Sequence, residues 1–355
     1  MDDRVKVLMV GPDRSVHGGI SGVVNLLYEA GLADRVQIKY IGTMKDGTKL
    51  KKLFVAIVAY ARFLCCVHRY DIVHVNMSSD SSYLRKSLFI KAAKKAGKKL
   101  VLHQHGGDIQ NYYVGLDDAG KRKMQDVLSM PDIMLVLGRE LQKFFKSVVP
   151  DQRITIFSNS VIIPEKYEKD YTNHNILFLG RLCNDKGIRE LVEAMKHIII
   201  KVPDAHLYLG GMWEDGKLKP LVDELGDNVS FLGWVSGDDK VRLLKECSVY
   251  VLPSYYEGQP VSVLEAMAYS SAVVATTVGS MPEMIVSGES GELVPPRDAK
   301  ALEQALIKVL DDKDYRKYLA QAGRQVVAYR FDVNKNLDKL CEIYKEVLED
   351  VSSIT

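Results

Sequence analysis

Short β-branched apolar runs alternate with segments of helical periodicity along this chain, and the series is played through twice. The first series reads VKVLMVG, a helix from about residue 21 to 30, DIVHVN, a helix through RKSLFIKAAKKAG, then KLVLHQHG and DIMLVLG. Apolar runs that end in Gly, His or Asn and are separated by helices are the pattern of βαβ units on a parallel sheet. Residues 161–175, VIIPEKYEKDYTNHN, hold a proline, many charges and no periodicity, so they are the best candidate for a linker. The second series follows: NILFLGR, GIRELVEAMKHIII, AHLYLGG, NVSFLGW, DDKVRLLKECS, VYVLPS, a helix around Glu265, AVVAT and GELVPP. A length of 355 residues also suits two cores better than one. The expected fold is α/β with two doubly wound parallel-sheet domains, over residues 1–163 and 164–331. The amphipathic helix in residues 332–355 comes after the second sheet is complete and is a candidate to pack back on the first domain.

Composition limits the function classes. With 47% hydrophobic and 26% charged residues, the chain has the balance of a soluble globular protein. Its start, MDDRVKVLMVGPD, lacks the basic-then-apolar pattern of a secretory signal and reads as a first strand. The longest apolar stretch, LFVAIVAYARFLCCV, is broken by Arg62 and falls short of the roughly 20 residues that span a bilayer. Cys65, Cys66, Cys183, Cys247 and Cys341 are scattered, with no CxxC pair, which fits reduced thiols in the cytoplasm and gives no structural zinc site. Charge is divided unevenly: residues 1–150 hold 24 Lys and Arg against 14 Asp and Glu, a net +10, while residues 151–355 hold 24 against 32, a net −8. A basic first half points to anionic partners, with solvated lysine faces on helices as the plain alternative.

In open parallel sheets the ligand site lies beyond the carboxyl ends of the strands, and two such sheets facing each other would form a cleft. After the first strand, Gly18 and Gly19 open directly into a helix, where a phosphate could approach backbone amides; a plain tight turn explains the same residues. Later, VLHQHGGDI sets His103, His105 and Asp108 near a strand end, and alternation sends both histidines to one face with His105 nearer the cleft. In the second half, Arg181 leaves a strand end and Lys186 stands just before a helix, two cations suited to a diphosphate. Trp234 and Val235 follow another strand, where backbone groups could read the edge of a base. Finally, SYYEGQPVSVLEAMA brings Glu257, Gly258, Gln259 and Pro260 into a loop, and Val261 and Ser262 into the start of a helix. Glu265, about one turn in, either complements the helix dipole or accepts hydrogen bonds from ribose hydroxyls.

Taken in order, FLGRLCNDKG, VSFLGWVS, SYYEGQPVSVLEAMA and VGSMPEMIVSGESGELVPPRD resemble glycosyltransferase family 4, retaining nucleotide-sugar glycosyltransferases of two-Rossmann, GT-B architecture. The resemblance runs over nearly the whole chain and is strongest over residues 175–298. It implies that Glu257 lies near the transferred sugar, that Glu265 binds ribose, and that Arg181 and Lys186 neutralise the diphosphate. It further implies that the Gly18 and Gly19 loop approaches the diphosphate and that His105 lies near the reacting centre. Two departures stand out: YSSAVVAT replaces the family's small residue, glycine and proline after EAMA, and Ser280 stands where a second glycine is common.

The expected activity is therefore metal-independent, retaining transfer of a sugar from a nucleotide-diphosphate sugar, with no other cofactor. No Asp-x-Asp follows a strand, and Asp311, Asp312 and Asp314 read as a helix break, so cations and helix amides are left to offset leaving-group charge. The family association implies a saccharide or lipid-linked saccharide acceptor in surface or exopolysaccharide biosynthesis, and no nucleic acid partner. Residues 49–70 and 82–100 combine apolar and basic character that suits peripheral contact with an anionic membrane at its cytoplasmic face. For the first of these segments a buried helix is the plainer expectation. A small soluble acceptor, or a nucleotide-sugar-binding module without turnover, are the alternative functions.

Overall fold

The computed structural model describes residues 4–16, 18–214 and 216–349. It divides into two compact units, the first comprising the chain up to Ser160 with the helix Val333–Glu349, the second Val161–Asp332. The boundaries expected from sequence thus move from 163/164 and 331/332 to 160/161 and 332/333. The cause is local: the Val161 amide donates to the Phe331 carbonyl at 2.9 Å and Val161 bridges to Asp332, tying both ends of the second unit together.

In the first unit the strands are β1 (Lys6–Gly11), β2 (Gln37–Gly42), β3 (Ile72–Met77), β4 (Lys99–Gln104), β5 (Ile133–Val136) and β6 (Ile154–Ile156). All pair in parallel in the order β2-β1-β3-β4-β5-β6. Strand alternation divides β1 between two cores. Leu8 and Val10 join Phe63, Phe89 and Phe145 on one face, while Val7 and Met9 join Val24 and Leu27 on the other. That second face is completed by the last helix, Val333–Glu349, whose Leu337, Leu340, Tyr344 and Val347 recur at helical spacing and are fully or almost fully buried. Its Tyr344 hydroxyl also meets His74 Nδ1 on β3 at 2.7 Å.

The second unit repeats the scheme with β7 (Asn175–Leu179), β8 (His206–Gly210), β9 (Val229–Gly233), β10 (Val249–Leu252), β11 (Ala272–Thr276) and β12 (Glu292–Val294). Their order is β12-β11-β10-β7-β8-β9, again parallel throughout. The chain winds from β7 outward through β8 and β9, then returns to the opposite side of β7 to continue through β10. Both units are therefore doubly wound α/β sheets, as the alternating runs imply.

Two sequence expectations need correction. Residues 161–175 do not hang free as a linker; they wrap the second unit, with Tyr171 buried in its core. This wrap also accounts for the atypical YSSA stretch that follows the helix Val261–Ala268. Lys169 Nζ donates to the Leu244 carbonyl (2.7 Å), the Tyr269 carbonyl (2.9 Å) and Ser271 Oγ (2.7 Å). The Tyr171 hydroxyl donates to the Ser270 carbonyl at 3.1 Å, and Arg324 donates to the Ala268 and Pro164 carbonyls. Carbonyls at a helix C-terminus have no partner inside the helix, so these side chains supply what the helix cannot. Ser270 completes the turn with φ of +53°, a left-handed conformation that non-glycine residues seldom adopt.

The helix Lys49–Cys66 is the second correction. It buries only Ala59, Phe63 and Cys66 and leaves Leu50, Leu53, Phe54, Ile57 and Leu64 exposed. Among the described residues no helix is long and apolar enough to cross a membrane.

Lys169 offers a stability test. Burial pushes its ammonium down to about 7, while its three N–H donors face three acceptors. Lys169→Met orphans those acceptors and should lower the stability of the second unit by about 2–4 kcal/mol, read from the urea midpoint. Because the folded value lies below the ordinary 10.5, the unfolded chain holds the extra proton between the two values. Stability contributed by this group therefore rises with pH from about 7 upward, a slope that Lys169→Met removes.

Candidate nucleotide-sugar site

The winding reverses between β7 and β10, which sets the loops leaving their carboxyl ends at the usual ligand position in this kind of sheet. Two side chains meet there. Lys186, in the short 3-10 turn Asn184–Lys186 after β7, bonds through Nζ to Glu257 Oε1 in the loop after β10. The same Glu257 oxygen accepts from Ser254 Oγ at 2.7 Å. Their side chains are 15% and 11% exposed, so the pair lies largely out of water.

Close backbone packing sets this meeting. Gly187 has φ of +69°, and a Cβ there would collide with the Pro253 carbonyl oxygen, so the two loops touch main chain to main chain. On the other flank Gly279, at φ of +54°, lies against the Glu257 carbonyl oxygen with no room for a side chain. Beside it the Ser280 amide donates to the Gly258 carbonyl at 2.9 Å. Glu257 thus stands between the loops after β7 and β11.

Arg181 is arranged differently. It is exposed, and its Nη1 donates to both carboxylate oxygens of Glu214 at 2.8 Å. Partial burial opposes its charge, yet the Glu214 bonds and the further field of Glu257 hold the guanidinium above its ordinary range. An exposed pair of this kind is worth roughly 0–1 kcal/mol, so Arg181 can turn to another anion at little expense. Glu265, inside the helix Val261–Ala268, receives a hydrogen bond from Lys240 Nζ at 2.6 Å. The helix starts after Pro260 without a side-chain cap, leaving its first-turn amides to other acceptors. Below it the buried Tyr250 hydroxyl donates to the Leu179 carbonyl at 3.2 Å. Burial raises that phenol, and the fields of Glu265 and Glu257 add to the effect.

The fold therefore gathers Arg181, Lys186, Glu257, Gly258 and Glu265 around the ends of β7 and β10. Gln259 is buried within the same loop. Val261 and Ser262 begin the helix. Trp234 and Val235 leave β9 two strands away: Trp234 is exposed, and Val235 packs over Gly210, where a Cβ would stand 2.8 Å from Val235 Cγ2. Lys240, Glu214 and Ser254 were not foreseen. Each is joined to its partner by the fold or by a loop turn, and no spacing in the sequence marks them.

Gly18, Gly19 and His105 belong to the first unit. A Cβ at Gly18 or Gly19 would meet nothing within 4 Å, and Gly18 is extended at φ of −178°, so the chain's own packing does not demand glycine there. His105 follows β4 and its amide donates to the Met77 carbonyl at 2.9 Å. Its ring lies against His103 with centroids 3.8 Å apart, placing both histidines on one face. His103 is buried among His74 and Phe157 and serves packing. His105 is only partly buried, and its Nε2 lies 2.8 Å from Asn76 Oδ1 on β3. Since Asn76 Nδ2 donates to the Val10 carbonyl at 3.4 Å, its oxygen faces the ring and His105 Nε2 must carry the proton. The lone pair is then on Nδ1. Burial, with the field of His74, pushes His105 down to about 3, so the ring is neutral. Among the described residues no group of three or more His, Cys, Asp or Glu side chains is set to hold a metal ion.

Residues 160–326 match the family described as glycosyl transferases group 1. The N,N'-diacetylbacillosaminyl-diphospho-undecaprenol alpha-1,3-N-acetylgalactosaminyltransferase of Campylobacter jejuni is 29% identical over 215 residues, covering 61% of this chain and 54% of that one. Sucrose-phosphate synthase from Thermosynechococcus elongatus has a TM-score of 0.83 at 21% identity, over 98% of this chain and 100% of that one. Anabaena HepE, solved with UDP-glucose, has a TM-score of 0.76 at 19% identity, over 98% and 100%. At such identities the structural likeness shows the fold, two Rossmann-like units of GT-B architecture. The chain spans about half the length of the leading curated relatives it matches.

The Asn76 contact predicts a spectroscopic result. Nitrogen NMR of the His105 ring should show the neutral Nε2–H tautomer throughout the range in which a free histidine, at about 6.5, titrates. Asn76→Asp places a carboxylate on that proton and should raise the His105 value by roughly 1–3 units.

Proposed function

We propose that this chain, whose residues 160–326 match the family described as glycosyl transferases group 1, transfers a sugar from a nucleoside-diphosphate sugar to an acceptor hydroxyl, with retained configuration and without a metal ion. The observation that carries this reading is the meeting of Lys186 and Glu257 at the ends of β7 and β10, with Arg181 beside them. A diphosphate brings more negative charge than one carboxylate, so it draws Lys186 and Arg181 to itself. Glu257, released from Lys186, then accepts hydrogen bonds from sugar hydroxyls. Glu265, one turn into its helix, exchanges Lys240 for the two ribose hydroxyls. Trp234 and Val235 are assigned to the base through their backbone groups, and the Gly18 and Gly19 loop to the diphosphate from the first unit.

In the transfer step the bond from the anomeric carbon to the diphosphate oxygen breaks and a bond to the acceptor oxygen forms on the same face. The acceptor proton passes to the departing diphosphate. Lys186 and Arg181 stabilise the charge that grows on that leaving group, the role a metal ion fills elsewhere. His105, neutral and with its lone pair on Nδ1, can accept a hydrogen bond from a sugar hydroxyl; it positions the donor and moves no proton. A lipid-linked saccharide is the proposed acceptor, in surface or exopolysaccharide assembly at the cytoplasmic face of a membrane. The support for it is the Campylobacter jejuni relative, whose name specifies a diphospho-undecaprenol substrate.

UDP-, GDP- and ADP-sugars should be compared by thermal shift, since a ligand that binds the folded state raises the melting point by mass action. Lys186→Gln should weaken binding of the preferred donor about 10- to 100-fold, the worth of a charged hydrogen bond. Hydrolysis of that donor without acceptor tests turnover and should persist in excess chelator; its absence from the wild type would favour a binding module. His105→Ala should lower turnover more than nucleotide affinity, and unchanged turnover would remove His105 from the site.

A further inference from the structure

Two neighbouring helices of the first unit carry an apolar surface that no described residue covers. On Lys49–Cys66, Leu50, Leu53, Phe54, Ile57 and Leu64 recur at intervals that align them along one face, about 27 Å from end to end of the helix. Leu50 is 79% exposed, Phe54 68% and Ile57 60%, although the opposite face is anchored by Ala59, Phe63 and Cys66. The neighbouring helix Asp80–Lys95 adds Leu84 and Leu88, 59% and 52% exposed. Edge-on contacts of Tyr60 and Phe63 with Phe89 hold the helices together, and both bury their inner faces in the same core. Their outer faces therefore look away from one core and adjoin. Scattered exposed leucines are ordinary, but a grouped set of this size marks an interaction surface.

Charge selects the occupant. Exposed Lys49, Lys51 and Lys52 begin the first helix, and exposed Lys91, Lys94 and Lys95 end the second. Among the described residues none of the six has an ion-pair partner. The first helix contains no acidic residue and the second only Asp80 at its start. A second copy of the chain seated on this patch would set lysine against lysine. We propose that the patch docks on an anionic lipid bilayer, with the leucines and Phe54 entering the acyl boundary and the lysines at the headgroups. The inference extends the lipid-linked acceptor reading by naming how the chain reaches the bilayer. It stands on the surface alone and is tested without sugar transfer.

Vesicle flotation separates the alternatives, using phosphatidylcholine alone and phosphatidylcholine with one-third phosphatidylglycerol, at low and high salt. The wild type should float with the anionic vesicles at low salt and bind phosphatidylcholine weakly. Joint replacement Leu53→Ser, Phe54→Ser, Ile57→Ser should reduce binding by about tenfold or more. Joint replacement Lys49→Gln, Lys51→Gln, Lys52→Gln should remove about half of the salt dependence. Phe54→Trp adds a direct probe, whose fluorescence should be quenched by brominated acyl chains. Both triple variants lie outside the strand-end cluster and should keep the wild-type thermal shift with donor, which reports on the transfer reading separately. Absence of wild-type flotation at low salt, or equal flotation of the serine variant, overturns the proposal. So does a solution dimer that the serine replacements dissolve while vesicles bind nothing.

Discussion

An ion pair held almost out of water, Lys186 with Glu257, governs what the second unit can do. Charges removed from water are costly unless matched, and loss of one partner from such a pair leaves the other stranded at about 3–5 kcal/mol. The pair therefore holds both groups in register until a better-matched anion arrives. That register depends on backbone contact at Gly187 and Gly279, where side chains would force the loops apart. It also depends on strand order, because the reversal of winding makes β7 and β10 neighbours and so brings the loops after them together.

The surrounding structure serves that meeting point. The helix Val261–Ala268 carries Glu265 and must keep its direction, and its C-terminal end is tied by Lys169, Tyr171 and Arg324 rather than by the glycine and proline usual in the resembled family. The first unit solves a parallel problem with different means. Its last helix, separated from the rest by the whole second unit in sequence, closes the sheet face that holds His74 and His103, the same face on which Asn76 and His105 meet farther along.

Much of this is legible in the sequence, for a physical reason: a strand buried on both faces must be continuously apolar, and the helices between strands must be amphipathic. Cations after β7 and carboxylates after β10 could be read as converging because parallel strands all end on one side. Contacts between distant segments were not legible. Lys240 sits in an ordinary charged helix until the fold brings it to Glu265, and Lys169 lies in a stretch whose charges suggest a solvated linker. The helix Lys49–Cys66 misled in the opposite direction. Its apolar content suggests burial, yet only three of its side chains are buried, because apolar residues recur around more of the helix than one core can cover.

Hydrogen exchange read by mass spectrometry, with and without saturating UDP, tests the central claim most directly. If the ends of β7 and β10 hold the diphosphate and ribose, peptides covering residues 181–188 and 254–265 should gain protection, while the helix Lys49–Cys66 should not change. Binding of UDP with no protection in those two peptides would contradict the assignment of the site.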